Sequence, residues 1–214
     1  MLKEGYAMHM PSPNTVAPAQ GLYQPDEFKD NCGFGLIAHM KGESSHHLVE
    51  TAIHSLSCMT HRGGIAADGK TGDGCGLLLA MPKAFFREEA KKLSDITLSE
   101  VFAVGTVFLN LDPAIAAHAK QILAKEIESE GLKVLAWRVV PTNVAALGEI
   151  ALRSMPAFEQ IIVNCPMGVT EVEFNRKLFL ARRRAEQLLI NDSSFYVTTL
   201  CSTVISYKGL MMPA

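Results

Sequence analysis

At 214 residues the chain is long enough for one domain, or for one and part of another. Apolar residues make up 48% and charged residues 20%, the balance of an ordinary soluble globular protein, and the longest apolar runs fall far short of a membrane span. A formal charge of −2 excludes the basic footprint of a nucleic-acid binder, and five scattered cysteines fit free thiols in a reducing, cytoplasmic compartment better than a disulfide framework.

Residues 1–31 are rich in Pro, Gly, Met and small polar residues, with turn signals at Pro11-Ser12-Pro13-Asn14 and Gln24-Pro25-Asp26. They lack an apolar secretory core and carry mixed charge at Lys3-Glu4, so they read as a processing segment or a flexible arm. The run Asn31-Cys32-Gly33-Phe34-Gly35-Leu36-Ile37-Ala38 follows, and its apolar density predicts a strand over 33–40 buried on both faces. Ser44 or Ser45 caps a helix running to about residue 60, with Val49, Ala52, Ile53 and Leu56 at helical spacing. Gly63-Gly64 ends it, residues 69–74 form a glycine-rich turn, and 75–81 is a short apolar strand. Pro82 opens a helix carrying Phe85, Phe86, Ala90 and Leu93, and 101–110 is a strand. Asp112-Pro113 starts a helix that ends at Gly131 and presents Ile115, Ala119, Ile122, Leu123 and Ile127. A strand over 132–140 holds Trp137, residues 141–156 give no clear pattern, 159–165 is a strand and 171–190 a long helix. Segments 194–200 and 202–207 read as a hairpin. The interleaving predicts an α+β fold with a largely antiparallel or mixed sheet. The chain stops just after a strand, at Met212-Pro213-Ala214, which reads as an incomplete domain.

Four features bear on chemistry. A thiol with its free pKa of about 8.5 holds little thiolate at neutral pH. If the chain were cut after Asn31, Cys32 would gain an α-amine of pKa about 7.7–8.0, a base built into the nucleophile itself. Taken alone, a single cysteine at a strand start is more often a buried packing residue. Residues 64–71, Gly-Ile-Ala-Ala-Asp-Gly-Lys-Thr, match the phosphate-loop pattern, which requires a strand before and a helix after; here a helix is expected before and a strand after. His54, Cys58 and His61 share one face of the expected helix and, with Cys32 or Cys75, have the spacing of zinc ligands, or of a packed face without metal. Arg182-Arg183-Arg184 is a solvated face or a set of ion-pair partners, and Arg62 either serves a helix C-terminus or faces a cleft to meet a carboxylate.

Taken together, Asn31-Cys32-Gly33-Phe34-Gly35, His61-Arg62-Gly63-Gly64 and the run from Ala67 through Asp73 to Gly76 resemble the glutamate synthases. Within that family the likeness is to the start of the large subunit of the bacterial NADPH-dependent form. It continues through Val140-Pro141-Thr142-Asn143, Leu147-Gly148-Glu149-Ile150-Ala151, Arg182-Arg183-Arg184 and Tyr207-Lys208-Gly209-Leu210. The Cys-Gly and His-Arg-Gly pair alone marks class II glutamine amidotransferases in general. The resemblance implies an N-terminal-nucleophile hydrolase fold, an αββα sandwich incomplete in this chain. It implies a propeptide over 1–31 and, over 32–214, the first part of a type-2 glutamine amidotransferase domain. Cys32 would be the catalytic nucleophile, with Gly33 and Arg62 as active-site neighbours and Arg62 in a positional role. Glutamine would be hydrolysed, and the ammonia passed to a second site that converts 2-oxoglutarate to glutamate. No cofactor or metal is implied on this chain; FMN and a 3Fe-4S cluster belong to the rest of the large subunit, and FAD and NADPH to the small subunit. The family's substrate-binding arginine, Asn-Gly oxyanion hole and acidic grip on the substrate amine fall beyond residue 214. Each lost oxyanion donor costs about 10²–10³ in rate, so the segment alone is expected to be inactive. The other readings are a phosphate-loop nucleotide-binding module over 64–71 and a non-catalytic structural domain.

Overall fold

The central strand of the molecule is Phe102–Leu109, in which seven of eight residues are buried. Burial on both faces means that something packs on each side of it, and that fact organises the layers. The computed structural model of the chain describes residues 33–210, the side chain of Arg62 excepted.

In chain order the elements are α1 (His46–Ser57), a 3-10 turn (Thr60–Arg62), β1 (Cys75–Ala80), α2 (Lys83–Ser94), β2 (Phe102–Leu109) and α3 (Pro113–Ser129). There follow β3 (Lys133–Val139), a 3-10 turn (Val144–Ala146), α4 (Glu149–Arg153), β4 (Ala157–Asn164), α5 (Glu171–Leu188), β5 (Tyr196–Cys201) and β6 (Val204–Gly209). One sheet has the order β3-β4-β2-β5 and the other pairs β1 with β6; every pairing is antiparallel. Helices α3 and α5 cover one face of the four-stranded sheet. Ala103, Val107, Leu109, Ile161, Val163 and Val197 meet Ala119, Leu123, Phe174, Leu178, Ala181 and Ala185 there. The opposite face presents Phe102, Val104 and Ile162, which share a smaller core with Phe86 and Ala90 of α2 and Ile205 of β6. Helix α1 lies outermost, against β1. The result is α+β with antiparallel sheets, as the interleaving predicted, in the αββα layering that the resemblance implied.

The polar part of the inter-sheet space is closed by a relay of side chains. Arg138 of β3 pairs with Glu89 of α2 at 2.7 Å and donates to buried Gln160 of β4 at 3.1 Å, and Gln160 donates to the Tyr207 hydroxyl of β6 at 3.0 Å. Lys92 and Arg138 together hold the Glu89 carboxyl below its ordinary value. The relay satisfies Gln160, whose unpaired burial would cost about 1–3 kcal/mol.

Helix starts follow their caps. The side chains of Ser45, Asp112 and Thr170 accept amides of the first turns of α1, α3 and α5, each worth about 1 kcal/mol. The α3 face is the expected one at Ala119, Ile122, Leu123 and Ile127, and differs only in its first turn, where Ala116 takes the place of Ile115. Ala116, Ala119, Leu123 and Ile127 are buried, whereas Ile115 is 44% exposed, because small alanines, not the larger isoleucine, let α3 approach α5.

Three expectations are corrected. Residues 33–40 form no strand: Phe34 and Met40 are 91% and 100% exposed, and no strand among the described residues pairs with the segment. Apolar composition makes a strand only where a partner supplies the ladder. The first helix stops at Ser57, so His61 sits on the following 3-10 turn. The two last strands are not a hairpin: β5 joins β2 and β6 joins β1. Ser202-Thr203 supplies no residue suited to the positive φ of a tight hairpin turn. Instead the buried Ser202 hydroxyl donates to Glu171 of α5 at 2.7 Å, and the chain steps from one sheet to the other.

Candidate functional site

The segment between the 3-10 turn at Thr60–Arg62 and β1 is a closed loop rather than an open one. Gly64 N donates to the Asp73 carboxylate at 2.6 Å, Ile65 and Gly72 form an antiparallel bridge, and Ala66 N donates to Thr71 O at 2.8 Å. Gly69, at φ +68°, makes the tip of the turn.

The loop wraps an internal anion. Asp68 accepts from Lys70 N at 3.0 Å, Thr71 N at 2.8 Å, Thr71 Oγ1 at 2.6 Å and Ile150 N at 3.0 Å. The Thr71 hydroxyl in turn accepts Ala151 N at 3.2 Å. Gly148, the cap position of α4, has no side chain to satisfy the first amides of that helix, so Asp68 and Thr71 cap it from 82 and 80 residues away. A Cβ at Gly148 would collide with both Asp68 and Thr71, which explains glycine there. The Thr71 hydroxyl first, then the amides of Thr71, Ile150 and Lys70, hold the Asp68 carboxyl far below the usual carboxylate range, against a smaller opposing effect of burial.

A depressed carboxyl stabilises the fold while it is ionised. Its contribution is therefore complete above the ordinary aspartate pKa of 3.8 and declines as pH falls below it. The Ile150 amide should lose hydrogen-exchange protection selectively in that acid range, and Asp68→Asn should expose it already at neutral pH. Equal protection in the variant and the parent at neutral pH would show that the clamp does not hold α4.

This geometry removes the phosphate-loop reading. A helix and a 3-10 turn precede Gly64, a strand follows, no helix starts at Thr71, and the amides that would cradle a phosphate are engaged by Asp68. Metal has no better seat. The expected His54, Cys58, His61 face is broken after Ser57, Cys58 Sγ stands 4.0 Å from His54 Nε2, and no three metal-binding side chains converge among the described residues. Cys58, Cys75, Cys165 and Cys201 are free, and burial pushes the thiols of Cys75 and Cys165 up. The arginine triple is an ion-pair set: Arg182 and Arg183 each meet Glu186 at 2.7 Å, and Arg184 meets Glu130 at 2.7 Å. No helix among the described residues is long and apolar enough to cross a membrane.

Of the expected site residues, Cys32 lies outside the described residues. Gly33 opens them in an exposed stretch, and Arg62 closes the 3-10 turn whose next amide, Gly63 N, donates to Thr60 O at 3.2 Å. The structure joins two stretches that the sequence offered separately, residues 67–71 and 147–151. Sequence reasoning missed the Asp68–Thr71 clamp. Its signal was an Asp three residues before a Thr in a glycine-rich turn, a pattern suited to local backbone capture.

The chain is 38% identical over 202 residues to the glutamate synthase [NADPH] large chain of Bacillus subtilis (strain 168), covering 94% of this chain and 13% of that protein. It is 38% identical to the glutamate synthase [NADPH] large chain of Azospirillum brasilense, covering 89% of this chain and 13% of that protein. It is 35% identical to the glutamate synthase [NADH] of Saccharomyces cerevisiae (strain ATCC 204508 / S288c), covering 97% and 10%. The chain thus spans about an eighth or less of the length of these relatives. The sequence profile for class-II glutamine amidotransferases matches residues 32–214, nearly all of the chain. An N-terminal-nucleophile fold of two antiparallel sheets between helices accounts for both the layers and the match, and the chain belongs to the class-II glutamine amidotransferases.

Proposed function

We propose that this chain is the amino-terminal part of the glutaminase domain of a glutamate synthase, with Cys32 as an N-terminal nucleophile after removal of residues 1–31. The observation that carries the reading is that the amidotransferase match begins at Cys32 and runs to residue 214. The relatives' names, all glutamate synthases, support the finer assignment.

In this reading the α-amine of Cys32 takes the thiol proton, and the thiolate sulfur bonds to the amide carbon of glutamine. The carbon–nitrogen bond breaks, and nitrogen leaves as ammonia with the proton returned by the amine. Water then attacks the thioester, releasing glutamate and the free thiol. Gly33 leaves room at the nucleophile for substrate, and the loop that follows Arg62 holds that residue's backbone. The ammonia serves the reductive formation of glutamate from 2-oxoglutarate. FMN and a 3Fe-4S cluster would supply the redox chemistry from the remainder of the large subunit, with FAD and NADPH on a small subunit, and residues 1–214 alone would turn over no glutamine. Relatives named for NADPH, ferredoxin and NADH match at 38%, 38% and 35% identity, which supports a segment indifferent to the electron donor.

The test is the intact mass and N-terminal sequence of the full-length gene product expressed in cytosol. The expected start is Cys32. A start at Met1 removes the α-amine base and overturns the mechanism.

A further inference from the structure

The turn at residues 61–64 has an unusual support. Helix α1, which leads into it, packs on β1 through half-buried side chains and buries no residue completely. Two backbone constraints bracket Arg62: the Gly63 amide on Thr60 O at 3.2 Å, and the Gly64 amide on Asp73 at 2.6 Å. Asp73 is tied in turn to the rigid part of the fold. One residue separates it from the β1–β6 ladder, which starts at Cys75 opposite Gly209. That residue, Gly74, has φ +111°, and a Cβ on it would lie 3.3 Å from Gly209 O. Gly64 makes the approach possible, since a Cβ there would lie 2.8 and 2.9 Å from the two Asp73 oxygens.

We propose that Asp73 is a positioning residue for glutamine hydrolysis: its carboxylate, seated on the Gly64 amide, transmits the position of the β1–β6 ladder to the turn and so sets where Arg62 stands. The inference rests on the reading of Cys32 and Arg62 given above. Asp73 is exposed and belongs to neither hydrophobic core, so a purely structural role predicts little effect of its removal. A positioning role predicts a large one, because a displacement of about 1 Å in a positioning group costs about 10²-fold.

The experiment uses the full-length protein and two readouts, kcat/KM for glutamine and the rate of Cys32 alkylation by a thiol-directed glutamine analogue, which stays measurable where turnover does not. Asp73→Ala should lower both about 10–100-fold. Asp73→Asn, which keeps an acceptor oxygen, should stay within about fivefold of the parent. In an Arg62→Ala background, Asp73→Ala should add less than about twofold, because the two residues then act as one unit. Parent-like rates for Asp73→Ala, or its full penalty persisting without Arg62, would overturn the proposal. Should Asp73→Ala fail to accumulate, Gly64→Ala pushes a methyl against the same carboxylate and is read in the same two backgrounds. Cys32→Ala is run alongside. If that variant still hydrolyses glutamine, the underlying reading fails; if it is dead while Asp73→Ala is unaltered, only this inference does.

Discussion

Cys32→Ala in the full-length protein is expected to lower glutamine hydrolysis by about 10⁴-fold or more, since removing a nucleophile leaves only binding and charge stabilisation to act on the substrate. Glutamate formation driven by added ammonia should persist in the same preparation, because ammonia enters after the step that Cys32 performs. Cys32→Ser should rescue little: a hydroxyl is far harder to ionise than a thiol with a free pKa of about 8.5, so an α-amine of pKa near 8 is a poor base for it. The segment 1–214 assayed alone should stay at background with or without the substitution. Hydrolysis that survives Cys32→Ala would leave the cysteine as a packing residue and favour a non-catalytic domain. Loss of both activities together would show that the substitution unfolds the protein.

Phe102→Ala is expected to destabilise the chain by about 3–5 kcal/mol, the cost of emptying a fully buried aromatic site. Phe102 is wholly inaccessible, sits between the two sheets with Phe86, Val104, Ile162 and Ile205, and lies under the Arg87 guanidinium at 5.3 Å from the ring centroid. That cluster is the smaller of the two cores, so one aromatic ring is a large share of what joins β1–β6 to the rest. The measurement is the urea midpoint followed by the fluorescence of Trp137, the chain's single tryptophan, which packs against the larger core. Phe34→Ala is the internal control: with Phe34 91% exposed, the change should stay within about 0.5 kcal/mol. Comparable losses at the two positions would mean that residues 33–40 are packed as a buried strand after all, and that the exposed course of that segment is wrong.

Much of the molecule was legible in the sequence because local chemistry decided it. Asp112-Pro113 capped and opened α3, and Ser45 capped α1. The Val- and Phe-rich run around residues 101–110 became β2, and the interleaving of elements gave the antiparallel α+β class. The Cys-Gly and His-Arg-Gly stretches carried the family, since that pairing of residue types at that separation has little other use.

The tertiary structure alone decided three things. It sent β5 and β6 to different sheets, because strand pairing depends on what lies beside a strand, and a two-residue Ser-Thr connection permits a step between layers as readily as a bend. It left residues 33–40 without a strand among the described residues, since apolar side chains cannot provide the neighbouring backbone that a strand must bond. And it gave Asp68 its role. The text of residues 64–71 spells a phosphate loop, yet the carboxylate it contains takes the loop's own amides and the amide of a helix residue 82 positions away. A motif fixes which groups are available; which of them meet is set by long-range contacts that no local spacing encodes.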